Sequence, residues 1–594
     1  MDLEEDFVVP ELSVEQIDPT AFAEDEVGYA YYLKHLATLA NAVVMEGDNR
    51  GFIDLKVWRR ERDNEPYNAR ILENHASLSF FYTLDRPWNP YRGNAALKAR
   101  LEAVLDFWCR SQHTDGRFSE YAPAQWSLAP TGFGIKFMGE TLRCLHASEV
   151  AGGPTIEPET MSRTVEAARK AIQVLLTHPD LLRHATNYSN QYTGFWGGIM
   201  AFLSAFPDEE MQGQFVDMMR TFSEQLTSPA GYHYERGGCD WRYTMSTHQN
   251  NVRHVWKYVC GSDLGKMIVE TEQPWMNWLS YNAVLEPDGT YFTLNRAIET
   301  RTALPGFESW ETPVVEEIPL SQAFSVSREE YKENLVKGKD DLVQTWPSIA
   351  PLEIYSPHIF VDGRAYYDWL PRKAQCEEKR ATLPYLARDR FTHFRMDHRT
   401  AVQFVFVRRP GYYAVFNSGE IIHTIQKYGF GLLWHPRLGS LLQTQSQEAG
   451  PWGTGLEGRV YEAESFQPEI AVDGKSFSLT AGRHDLLDGE VTCAYSLGTG
   501  GKKTVRFAED YVEVEVNHSG AFEEHLPLLC RVSDELTVVD GQVRLQRGEG
   551  TMVISCGSDV GIETQKTDVS HGPFTLNRAV VNARDYLTYR VVFE

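Results

Sequence analysis

The chain has 594 residues, 42% of them hydrophobic and 12% aromatic, enough to bury more than one core, so at least two domains are expected. Its 82 acidic and 57 basic side chains leave a formal net charge of −25, without the clustered basic footprint that phosphate binding needs, which argues against a nucleic-acid partner. The eight cysteines, at 109, 144, 239, 260, 376, 493, 530 and 556, show neither a close pair nor a metal-finger spacing and read as reduced thiols.

The N-terminus, Met-Asp-Leu-Glu-Glu-Asp-Phe-Val-Val-Pro, is acidic and lacks the basic and apolar regions of a secretory signal. No run reaches bilayer-spanning length. The expectation is a cytoplasmic protein with no membrane partner, unless a leader has been trimmed, in which residues 1–24 form an acidic extension.

From about Asp25 to Val336 the chain reads as helices. Tyr29 to Val44, Asn94 to Ser111, Met161 to His178 and Glu209 to Leu226 each carry apolar residues at three- and four-residue spacing. Asp115-Gly116, Ala230-Gly231 and Asp288-Gly289 place a Gly turn after helical runs, and the glycine intervals of 115 and 58 residues (231 − 116 and 289 − 231) suggest a unit of two helices with their loops. Stacked helical hairpins predict an incomplete α/α toroid over residues 25–346, with an open solenoid as the alternative.

Two of the loops carry the chemistry. Asn187 to Gly198 reads Asn-Tyr-Ser-Asn-Gln-Tyr-Thr-Gly-Phe-Trp-Gly-Gly, and the stretch from Ala230 gathers tyrosines, histidines, Glu235, Trp241 and Arg242. Aromatic faces stack on sugar rings while amides, Arg and His orient a polar ligand, so the pattern points to a carbohydrate cleft; the competing reading is a pair of well-packed interhelical loops.

After Pro347 the pattern becomes period-two. Val402 to Val407 and Tyr412 to Asn417 flank a Pro-Gly turn, and similar runs recur at Val505 to Val516, Leu536 to Leu545, Thr551 to Cys556 and Tyr586 to Phe593, predicting an antiparallel β-sandwich over residues 347–594. Helices first and strands afterwards exclude a doubly wound nucleotide-binding fold, and no phosphate loop is present, so no cofactor is expected.

A helical toroid joined to a C-terminal β-sandwich, with Asn190 in one loop and Gly231-Tyr232-His233-Tyr234-Glu235 leading to Tyr243 in the next, resembles the heparinase II/III-like group of polysaccharide lyases. The resemblance implies cleavage of a uronate-containing oligosaccharide or polysaccharide by β-elimination. It casts Asn190 as the amide that binds the carboxylate, Tyr243 as the proton-transferring phenol and His423 as the β-domain histidine. Asn190 and Tyr243 are 243 − 190 = 53 residues apart, about one hairpin unit.

The match has departures. The family's His-Gly-His-x-Asp is here His423-Thr424-Ile425-Gln426-Lys427, so no zinc is expected there. Seven residues, Arg236 to Arg242, separate Glu235 from Tyr243, which makes Tyr234 the alternative phenol.

Removing the weakly acidic C5 proton of a uronate needs compensation at its carboxylate and a group to exchange the proton. Asn190, with Gln191 or Arg242, can supply the first, and Tyr243 with His248 or His423 the second. Trp196, Trp241, Tyr234 and Glu235 complete the expected substrate-binding set, while His184, His233 and His254 read as structural. Two alternatives stand beside the lyase: a toroid glycoside hydrolase using Asp115 with Glu120 or Glu235 with Asp240, and a non-catalytic carbohydrate-binding protein. The oligomeric state is left open, a homo-oligomer included.

Overall fold

The computed structural model describes residues 8–57, 63–301, 304–312, 314–361, 367–445, 450–479, 482–483, 487–498 and 500–594; the first seven residues of the expected acidic extension lie outside them. Helices occupy the N-terminal part, and a large set of antiparallel strands follows from Phe391 to the end. Two short helices, Lys373–Ala381 and Pro384–Ala387, still precede the first long strand, so the change of pattern comes later than Pro347. No helix among the described residues is long and apolar enough to cross a membrane.

The chain divides into two compact units, and both are discontinuous. The first comprises Met1–Gln225, Met245–Ile268 and Ser327–Lys373, and the second Leu226–Thr244, Val269–Val326 and Ala374–Glu594. Segments 226–244 and 269–326 thus belong with the strands rather than with the helices that precede them.

In the first unit the four helices expected from apolar spacing are present as Val27–Asn41, Ala95–Ser111, Pro158–Thr177 and Glu209–Phe222. Their ends follow from side-chain chemistry. Asn94 Oδ1 accepts the Leu97 N–H at 2.9 Å, Asp208 Oδ1 accepts the Met211 N–H at 3.0 Å, and Pro158 occupies a first-turn position where its missing N–H costs nothing.

Helices Leu128–Val150 and Trp196–Ala205 meet backbone to backbone. A Cβ on Gly139 would stand 2.0 Å from the Gly198 carbonyl oxygen, and one on Gly198 would stand 2.2 Å from that of Ile135. Only glycine allows this approach, and it draws the indole of Trp196 wholly into the core, edge-on to Tyr192 at 5.2 Å.

In the second unit, strands Phe391–Asp397, Val402–Arg409, Tyr412–Gly419 and Gly429–His435 pair antiparallel in succession, and every residue of the four is buried. A further antiparallel set joins Val491–Leu497, Gly501–Phe507, Val512–Cys530 and Phe574–Phe593. Two expected runs resolve into pairs of strands. Val505 to Val516 is broken by a turn at 508–511, and Leu536 to Leu545 is a hairpin whose Asp540-Gly541 turn takes φ of 49° and 73°.

Segments 226–244 and 269–326 belong to this unit because their side chains finish its core. Trp278 packs against Tyr232 at 5.4 Å and Phe404 at 6.0 Å, and the amides of Asn295 and Asn417 exchange hydrogen bonds of 2.9 and 3.1 Å. That pair satisfies four polar atoms in a dry interior.

Candidate functional site

In the second unit three loops come together. In the first, Glu235 and Gly238 exchange backbone hydrogen bonds of 2.7 and 3.1 Å across Arg236 and Gly237, whose φ values of 55° and 78° define a two-residue turn of the left-handed kind. The turn is anchored on the second loop: Thr300 Oγ1 donates to the Glu235 and Cys239 carbonyls at 2.9 and 3.0 Å. A Cβ on Gly238 would lie 2.3 Å from the Thr300 methyl, so glycine is required at this approach.

The third loop carries His423. Its Nε2 lies 2.8 Å from the Arg236 carbonyl oxygen. A carbonyl only accepts, so Nε2 carries the proton and Nδ1 is the basic nitrogen of the neutral ring. Burial lowers the imidazole pKa, and the Arg236 charge adds to this against the opposing hydrogen bond, favouring the neutral form. Gln426 closes the turn, its Oε1 accepting the Ile422 and His423 N–H groups at 3.0 and 3.2 Å, while the Lys427 N–H ties the loop to the Ala297 carbonyl at 2.8 Å.

The two candidate phenols differ in their surroundings. Tyr234 is buried and its hydroxyl donates to Asp397 Oδ2 at 2.7 Å, an acceptor shared with Ser228 and Tyr232 at 2.6 and 2.9 Å. Burial and the Asp397 charge push its pKa well up. Tyr243 is half-buried, its hydroxyl makes no hydrogen bond among the described residues, and the Arg301 guanidinium lies 3.3 Å from its ring centroid. Its backbone N–H donates to Asp240 Oδ1 at 3.0 Å, and Arg301 Nε stands 3.5 Å from Asp240 Oδ2.

Several other expected residues sit deeper than a ligand contact requires. Trp241 is fully buried, packed against Trp278 at 4.7 Å with the rings tilted by 32° and its indole N–H donating to the Asn295 carbonyl at 2.7 Å, so it is enclosed by protein. Trp196 is likewise enclosed. Glu235 and Asp240 are buried, whereas Arg242 is exposed. His233 is enclosed, with Nδ1 3.1 Å from Thr227 Oγ1 and Nε2 3.4 Å from Glu272 Oε1.

The backbone of Glu299 pairs with that of Cys239 in an isolated parallel bridge, and its side chain is buried. Burial raises its carboxyl well above the usual range, outweighing the Leu304 N–H and Arg296, and the Asp240 charge pushes the same way.

In the first unit Asn190 sits on the short helix Ser189–Thr193 and is buried. Asn251 Nδ2 donates to the Asn190 carbonyl at 2.9 Å and to Thr193 Oγ1 at 3.1 Å, and Asn251 Oδ1 accepts from the buried Lys136 ammonium at 3.0 Å. Gln191 is half-buried, with Oε1 3.1 Å from His184 Nε2, and the His184 ring stacks on Tyr188 at 4.6 Å. His248 is buried at the end of the π-helical turn Tyr243–His248.

His254 holds Glu140 at 2.8 Å, and burial with the nearby Lys257 outweighs that carboxylate, pushing the imidazole down to about 4. Asp115, one of the hydrolase candidates, is bound by Arg117 at 2.8 and 2.9 Å and by His113 at 2.8 Å. Those bonds outweigh its partial burial and hold its carboxyl far below the usual range.

The sequence reading did not anticipate Arg301, Asp397 or Gln426. Arg301 and Asp397 carry no local signal, because each meets its tyrosine only through long-range folding. Gln426 lay in the quoted His423 motif, where its side-chain oxygen caps the turn.

No family model matches the chain, and no curated protein matches it either. Among solved structures, the chain is similar to a mutant of the heparan sulfate lyase HepC from Pedobacter heparinus, with 11% identity, 92% of this chain and 79% of that chain covered, and a TM-score of 0.45. It is similar to heparinase III with methylated lysines at 10% identity, with 99% and 86% covered and a TM-score of 0.47. Endoglucanase CelQ from Clostridium thermocellum complexed with cellotriose shares 12% identity, with 89% and 84% covered and a TM-score of 0.20.

Proposed function

We propose that this chain is a lyase that cleaves a uronate-containing oligosaccharide or polysaccharide by β-elimination. The observation that carries the reading is the convergence, within the strand-bearing unit, of the His423 loop on the turn that leads to Tyr243. It brings a neutral imidazole and a half-buried phenol onto connected loops, with a guanidinium stacked on the phenol ring.

In the proposed reaction the C5 proton passes to Nδ1 of His423, the C5–H electron pair forms the C4–C5 double bond, and the C4–O bond breaks. The leaving oxygen takes its proton from the Tyr243 hydroxyl. Charge developing on the Tyr243 oxygen during transfer is offset by the stacked Arg301 guanidinium. Asn190 is assigned the substrate carboxylate, with Gln191 or Arg242 in support, and His248 remains a second proton-exchange candidate. Buried Trp196, Trp241 and Glu235 shape the loops rather than contact sugar in this reading.

The hydrolase alternative is weaker at Asp115, because an acid held ionised by Arg117 and His113 cannot donate a proton at neutral pH. The test is an incubation with a panel of uronate oligosaccharides, following both ultraviolet absorbance and reducing ends. The lyase reading expects new reducing ends and the absorbance of a conjugated double bond in step. Reducing ends without absorbance favour a hydrolase, and neither signal leaves the binding-protein reading.

A further inference from the structure

We propose that a hollow on the sheet of the second unit is a separate binding site for a neutral pyranose. This inference does not depend on the elimination reading, because none of the residues assigned to that reaction lines the hollow.

Strands Gly453–Leu456, Val512–Cys530 and Phe574–Phe593 run side by side here, with Gly455 opposite Glu523, Glu523 opposite Asn582, and Ala521 opposite Arg584. Gly455 and Ala521 put almost no side chain on the floor, and a pocket of about 590 Å³ opens above them, within the size range of small-molecule sites. The hairpin turn Glu457-Gly458, with φ of 50° and 82°, raises one wall.

Several rim side chains are held by neighbours. Arg459 is held by Glu464 and lies 4.5 Å above the Tyr461 ring, and His525 Nε2 is 3.2 Å from Glu523 Oε2. A bulge between His518 and Ala521 is pinned by the Gly520 N–H on Asp585 Oδ1 at 2.7 Å. The Arg584 side chain makes no hydrogen bond among the described residues, so its guanidinium donors are available.

The polar groups choose the ligand class. Glu457, Glu523 and Asp559 disfavour a phosphate or sulfate, and the guanidinium groups of Arg459 and Arg584 disfavour an ammonium. A neutral polyol suits both sets, because each hydroxyl donates to a carboxylate and accepts from a guanidinium, with Asn582 able to do either. The C–H face of a pyranose can then rest on the small residues of the floor.

Saturation-transfer NMR on the full chain tests this with methyl β-glucoside and its uronate counterpart, methyl β-glucuronide, at millimolar concentration. The expected result is transfer to the glucoside in the parent and in Tyr243→Phe, and its loss in both Ala521→Trp, which fills the hollow, and Arg584→Ala. Both altered positions are solvent-exposed, and circular dichroism verifies the fold of each variant. Transfer that survives either folded pocket variant, is absent in the parent or in Tyr243→Phe, or favours the glucuronide overturns the proposal. Loss in Tyr243→Phe with retention in the pocket variants assigns the binding to the tyrosine loop and overturns it as well.

Discussion

The imidazole Nε2 of His423 lies 2.8 Å from the carbonyl oxygen of Arg236, a contact made possible because Arg236 takes a left-handed φ of 55° in its turn. The bond orients the ring, assigns its proton and leaves Nδ1 as the base. His423→Gln keeps an amide that can donate to the same carbonyl but has no basic nitrogen. Turnover is expected to fall by about two to four orders of magnitude with little change in melting temperature, in keeping with general acid–base contributions. Unchanged turnover in a folded variant removes His423 from the proton transfer.

The two tyrosines are expected to separate by the kind of damage their removal causes. Tyr243→Phe preserves the ring under Arg301 and removes only the hydroxyl, so kcat is expected to drop by about two to four orders of magnitude while stability holds. Tyr234→Phe takes one of three hydroxyl donors from Asp397 and is expected to cost about 1–3 kcal/mol of stability, read by denaturant titration, with kcat largely kept. The reverse pattern makes Tyr234 the functional phenol.

Much of the architecture was legible because it rests on local rules. Gly116, Gly231 and Gly289 were recognised as turn residues and take φ of 106°, 118° and 76°. Helix starts at Asn94 and Asp208 follow from residues that cap by chemistry alone. The depth of each indole was not legible. Trp196 disappears because Gly139 and Gly198 let two helices touch, and Trp241 because it joins Trp275 and Trp278, and both outcomes depend on partners far along the chain. The same holds for Arg301 over Tyr243 and for the hydroxyls gathered on Asp397.

Glu462 links the His423 loop to pH. Burial pushes its carboxyl up to about 8, outweighing the Tyr428 N–H and Lys427, whose Nζ is 3.8 Å away. An unfolded chain releases the same proton near pH 4.3, by the ordinary value of about that size. The folded state therefore holds a proton that the unfolded state has lost. Its stabilising effect is complete below about pH 4 and fades as pH rises through about 8. Glu462→Gln mimics the protonated group and is expected to flatten this slope, exceeding the parent's unfolding free energy at alkaline pH by an amount on the order of a few kcal/mol. Parallel pH profiles for the two proteins contradict the assignment.

Two glycine-to-alanine changes are expected to have opposite signs. Gly139→Ala forces the Leu128–Val150 and Trp196–Ala205 helices apart, since its Cβ would meet the Gly198 oxygen at 2.0 Å, and should cost about 1–3 kcal/mol. Gly213, within Glu209–Phe222, has nothing within 4 Å of its Cβ position, so Gly213→Ala should gain roughly 1 kcal/mol from helix propensity. Thermal melts of the two variants beside the parent read both signs, and a stable Gly139→Ala would refute the backbone-to-backbone crossing.

Elimination and hydrolysis differ in whether solvent oxygen enters the product, so the most direct measurement is mass spectrometry of products formed in heavy-oxygen water. A uronate oligosaccharide cleaved by the proposed chemistry gives an unsaturated fragment lighter by one water than its hydrolytic counterpart, and no heavy oxygen appears in either product beyond ordinary exchange at the new reducing end. Saturated fragments, with one heavy oxygen incorporated per bond cleaved, would contradict the account and return the carboxylate-pair hydrolase as the better reading.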